Sequence, residues 1–115
     1  MKKILSFTLF SLILVSCSND STDDLTIPLP TIVTYNSNVK SIMNTSCATS
    51  GCHNATSNSA NLILENYTQV KNAFLNRNAL SRMESTTASM PPSGNLPNTT
   101  LQILKDWRDQ GYLEN

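Results

Sequence analysis

Apolar residues recur at helical spacing in several stretches of this chain, and in no stretch do they alternate convincingly as a strand would. Tyr35, Val39, Ile42 and Met43 fall at i, i+4, i+7 and i+8. That is one face of a helix, predicted from Tyr35 to Ser46. Asn54 to Asn61 is rich in Asn, Ser, Thr and Ala and reads as a loop. Asn66 followed by Gln69 has the pattern of an N-cap with its capping-box partner. It should open a helix from Tyr67 to about Leu75 that buries Tyr67, Val70 and Phe74. A shorter helix, Asn78 to Glu84, would bury Leu80 and Met83. Thr86 to Leu96 holds Pro91, Pro92 and Gly94 and cannot be helical. Pro97 suits the first position of a last helix. Its buried side is Leu101, Leu104 and Trp107 with Ile103 beside them, and Gly111 is the residue that would end it. The fold class expected is all-α: three or four short helices joined by polar loops.

The start of the chain has a different pattern. Lys2 and Lys3 precede an apolar run from Ile4 to Val15. This is the layout of a secretory signal peptide, and the run is too short to span a bilayer as a mature helix. The ending Leu14-Val15-Ser16-Cys17 resembles the lipobox of bacterial lipoproteins. The resemblance implies cleavage before Cys17, acylation of that cysteine, and a protein lipid-anchored in the cell envelope on the periplasmic or cell-surface side. An ordinary signal peptide cut nearby is the alternative. Ser18 to Pro30 carries Asp20, Asp23, Asp24, Pro28 and Pro30 without an apolar period, the composition of a flexible tether. The organisation expected is thus a signal peptide over 1–16, an acidic lipid-anchored tether over 17–30, and one small domain over 31–115.

Charge narrows the partners. Removing Lys2 and Lys3 with the signal leaves six basic against eight acidic residues. There is no basic patch, which makes nucleic acid an unsuitable partner. Apolar side chains are few for so small a domain, and a large apolar ligand would supply the missing core.

The residues that carry chemistry are Cys47-Ala48-Thr49-Ser50-Gly51-Cys52-His53. Two cysteines with a histidine directly after the second form the haem c attachment pattern, here with four intervening residues in place of two. Each thiol can add across a haem vinyl group, and the adjacent imidazole can then ligate the iron. The vinyl positions set the separation of the two sulfurs and do not restrict how many residues loop out between them. Ala48, Thr49, Ser50 and Gly51 are small enough to bulge away, and Gly51 tolerates a left-handed turn. His53 is the single histidine, so bis-histidine ligation within one molecule is impossible and a zinc site would be a ligand short. A Cys47–Cys52 disulfide in a haem-free interaction module is the other reading. For a sixth ligand, Met43 and Met83 sit in helical patterns and read as core. Met90 lies in a Ser/Thr-rich loop before Pro91-Pro92, where it has no packing motive and the prolines stiffen the backbone around it. Met90 opposite His53 is therefore the expected pair of iron ligands.

Taken together, Ser46 to Asn54, Leu62-Ile63-Leu64 with Tyr67, Met90-Pro91-Pro92-Ser93-Gly94 and Leu101 to Gly111 resemble a small bacterial monohaem cytochrome c domain. The resemblance runs from Tyr35 to Leu113. It implies a cytochrome c-like fold in which the first and last helices cross and help form the haem cleft. It also implies one haem c attached by Cys47 and Cys52 and ligated by His53 and Met90, acting as a single-electron carrier for redox protein partners. A haem-based sensor with an open iron position is the rival within that class. Trp107 and Tyr67 read as core aromatics, and Lys105, four before Asp109, as half of a weak ion pair on a solvated helix face.

Overall fold

The computed structural model describes residues 31–115. The expectations for residues 1–30, including the acylated Cys17, lie outside the described residues. Four α-helices and two short helical turns make up the regular structure, and no strand occurs among the described residues. The architecture is therefore all-α.

A π-helical turn, Tyr35–Val39, runs into helix α1, Lys40–Ser46. Thr34 caps the turn by accepting the Ser37 N–H on its hydroxyl at 3.2 Å. Helix α2 is Tyr67–Asn76. The Asn66 side chain accepts the Gln69 N–H at 3.0 Å, as the pattern predicted. The return bond differs: the Gln69 side chain takes the N–H of Glu65, one residue before the cap, at 3.0 Å. Helix α3, Ala79–Glu84, follows at once, because Asn78 turns the chain in the left-handed region that Asn tolerates. Helix α4 is Asn98–Asp109, with Pro97 as the cap in place of the first helical residue.

The end of α4 has the full Schellman pattern. Gly111 has φ +84°, which a residue with a Cβ adopts only at a cost. The Tyr112 N–H donates to Trp107 O at 2.9 Å and the Gly111 N–H to Arg108 O at 3.0 Å. The accompanying apolar contact is aromatic: the Tyr112 and Trp107 rings stand edge to face at 4.9 Å.

The core centres on Trp107, which is fully buried along with Met43, Leu104, Val39 and Val70. Tyr35, Tyr67 and Phe74 also lie 5.3–6.4 Å from the Trp107 ring, the range of favourable aromatic pairs. Trp107 Nε1 donates to Leu113 O, and the Tyr67 hydroxyl to Tyr112 O. The opening turn packs against α4, and the backbone N–H groups of Tyr35 and Asn36 donate to Leu113 O and Glu114 O. The two ends of the domain are stitched together. α3 packs on both α2 and α4. Lys105 bridges to Glu84 of α3 at 2.7 Å rather than to Asp109, which pairs with its neighbour Arg108. The i, i+4 pair expected along α4 is replaced by one that joins two helices.

Candidate functional site

Helix α1 stops at Cys47, whose N–H closes the last turn onto Met43 O at 2.9 Å. The four residues between the cysteines then loop out. The Cys52 N–H bonds Thr49 O, and the His53 N–H returns to Cys47 O, both at 3.0 Å. Gly51, at φ +82°, supplies the left-handed step in this loop. The bulge thus brings His53 backbone to backbone with Cys47 despite the longer spacing. Both cysteines carry free thiols. Cys47 is buried and Cys52 half-buried. Burial, helped by the neighbouring Cys52, pushes the Cys47 thiol up to about 11, so it is held in its protonated form at neutral pH.

His53 is oriented from behind. Its Nδ1 lies 3.1 Å from Ser59 O and 3.0 Å from Leu62 O. Both partners are carbonyl oxygens, which only accept, so Nδ1 carries the proton and donates. The Nε2 lone pair is then left for a ligand, the arrangement that fixes ring orientation and tautomer in metal-binding histidines. The carbonyls are held by an unusual stretch of backbone. Asn58, Ala60 and Asn61 all have φ between +41° and +57°. Asn accepts that region readily, but Ala60 does so only under strain. The His53 carbonyl in turn accepts the Leu64 N–H at 2.8 Å.

Met90 comes from the loop after α3. Its N–H donates to Arg82 O of α3 at 3.0 Å, which ties the Pro91-Pro92 loop to that helix. Met90 is half-buried. Cys47, Cys52 and His53, from one short stretch, and Met90, far along the chain, all line one cavity of about 300 Å³ that opens to solvent. Leu62, Leu64, Ala79, Met83 and Pro91 give it largely apolar walls. This is the size and character of a small-molecule site.

Comparison with known protein families, characterised proteins and solved structures finds no match. The site therefore has to be read from its own chemistry. Its donors are two thiols, one imidazole with a single available lone pair, and one thioether. Among the described residues no group of three or more His, Cys, Asp or Glu converges as an ion site. The soft donors and apolar walls fit haem, whose iron takes nitrogen and thioether ligands and whose ring is a flat apolar surface.

Two features of the cavity differ from the sequence expectation. No lining residue comes from α4, so the first and last helices do not jointly wall it. The walls are instead the end of α1, the loops after it, α3 and the Met90 loop. Sequence reading also passed over Met83, Arg77 and Arg82 as lining residues. The signal for Met83 was the i, i+4 pair it makes with Ala79 along α3. Both line the cavity, while Met83 also belongs to the core assigned to it. Met43 is wholly core.

Proposed function

We propose that this chain is a single-electron carrier, a c-type cytochrome domain holding one covalent haem. Cys47 and Cys52 would hold the haem through thioethers, and His53 and Met90 would ligate its iron. The observation that carries the reading is the convergence of those four side chains on one apolar cavity, with the His53 Nδ1 proton directed to two backbone carbonyls. When bound, the haem supplies a one-electron Fe(II)/Fe(III) couple.

The chain's own residues set the terms of that couple. The carbonyls of Ser59 and Leu62 hold the imidazole in one tautomer and keep its Nε2 available in both oxidation states. The Met90 thioether favours Fe(II) and a relatively high potential. Its tie to α3 through the Arg82 carbonyl keeps the loop in place when the charge changes. Leu62, Leu64 and Met83 exclude water from one side of the ring, while the open side of the cavity is where redox protein partners dock briefly. With His53 and Met90 both on the iron no ligand position would remain for a substrate, so the reading is of a carrier and not an enzyme. Acylation at Cys17 would hold the domain at an envelope membrane. Among the described residues no helix is long and apolar enough to cross one.

A haem stain of the denatured, matured protein tests the proposal, since only covalent haem survives denaturation. A coloured band at the mass of the chain is expected, and a colourless protein with Cys47 joined to Cys52 would overturn it. The axial assignment is tested by Met90→Ala, which should lower the midpoint potential and let the reduced protein bind carbon monoxide. Unchanged potential and no binding would remove Met90 from the iron.

A further inference from the structure

Two arginines line the cavity that holds the proposed haem, and no acidic residue does. Arg77 follows α2 directly and Arg82 lies on α3. Cys47, Cys52 and His53 come from the loop after α1. Both arginines are exposed. The ion pairs among the described residues are Lys105 with Glu84 and Arg108 with Asp109, which leaves Arg77 and Arg82 without a carboxylate. Arg77 spends one donor on Ala60 O, at 3.2 Å from Nη2. That bond steadies the side chain and leaves most of its donors unused.

A guanidinium presents its N–H groups in a planar fork that matches a carboxylate in two parallel hydrogen bonds. The site therefore combines apolar walls with two cations. A ligand with a flat apolar body and two carboxylates along one edge would complement both features, and haem has that form. We propose that Arg77 and Arg82 are the carboxylate-binding edge of this cavity, taking the two haem propionates and raising the midpoint potential. The inference rests on the haem reading above.

The effect on potential follows from charge. A propionate near the iron stabilises the ferric state, which carries one more positive charge. A guanidinium paired with the propionate offsets that bias and favours Fe(II). A cation merely dissolved in the surrounding water would be screened by salt and would act weakly.

The test uses the full-length holoprotein as Arg77→Gln, Arg82→Gln, the double Gln variant and the double Lys variant. Midpoint potentials are measured at low and at high ionic strength, with haem attachment checked by staining. Each Gln substitution should lower the potential, the double variant should lower it further, and the drop should persist in high salt. The double Lys variant, which keeps the charge, should stay nearer the native value. A double Gln variant with native potential and attached haem would overturn the inference and leave the haem reading intact, and so would a shift abolished by salt. Should the Gln variants fail to retain haem, retention by the double Lys variant supports the charge pairing, and loss in both overturns it. A native protein without covalent haem would instead refute the reading on which the inference stands.

Discussion

Around Trp107, Tyr35, Tyr67, Phe74 and Tyr112 fill the space between the opening turn, α2 and α4, each set against its neighbours at aromatic packing distance. Around His53, the chain is mostly loop, the polar contacts are made by backbone carbonyls, three nearby residues sit at positive φ, and the side chains border a cavity. One region closes on itself with side chains. The other spends its backbone geometry on aiming a few donors and leaves apolar walls facing open space. The difference separates two jobs: the aromatic region supplies the stability, and the cavity region uses some of it to hold a preset arrangement.

Four measurements would break or sharpen that contrast. The largest effect is expected from Trp107→Ala, which empties the centre of the aromatic region. It should cost about 3–5 kcal/mol in denaturant unfolding, and the cavity region should unfold with it. Retention of a folded cavity region in that variant would show the two to be independent.

Next comes pH. The Cys47 thiol has its ordinary value of 9.0 pushed up to about 11 in the fold. A group that holds its proton more tightly when folded contributes stability that is fully present below the unfolded value and is lost as pH rises through the folded one. The chain with free thiols should therefore lose roughly 2–3 kcal/mol between pH 9 and 11, relative to Cys47→Ala or to the protein with Cys47 in a thioether. The Tyr35 hydroxyl is also raised above its ordinary value, by burial and by Glu114. It is common to all three proteins, so their difference isolates Cys47. Equal slopes would mean that Cys47 is not the buried group described.

Tyr67→Phe removes the hydroxyl that donates to Tyr112 O and accepts from Lys71 Nζ. A loss of about 1 kcal/mol is expected, with no change in the spectrum of the proposed haem. A spectral shift would put this ring in the site and blur the division. Smallest is Ala60→Gly. Relief of the left-handed backbone at φ +57° is partly offset by glycine's greater freedom when unfolded. A gain of up to about 1 kcal/mol in the free energy of unfolding by urea would locate strain beside His53, and a loss would deny it.

The two regions also differed in how readable they were. Helices α2 and α4 were visible because Val70, Phe74, Leu101, Leu104 and Trp107 repeat with the helical period, and because Asn66 and Gly111 mark their ends. Cys47, Cys52, His53 and Met90 were legible as a set because their side-chain chemistry is rare and mutually compatible. What escaped depends on contacts between distant segments. The π-helical turn at Tyr35–Val39 arises where Lys40 N–H reaches back to Tyr35 O, a choice no periodicity encodes. The pairing of Lys105 with Glu84 required knowing that α3 packs on α4. The two carbonyls behind His53 could not be foreseen, since they are backbone groups of Ser59 and Leu62, placed by the fold and not by side-chain type.

The pairing of Tyr35 and Asn36 with Leu113 and Glu114, together with the Gln110 side chain bonded to Thr31 O and the Val33 N–H, brings the beginning and end of the folded region side by side. No residue lining the cavity belongs to either terminal segment. A fusion partner appended after Asn115 would accordingly burden that seam and leave the cavity untouched.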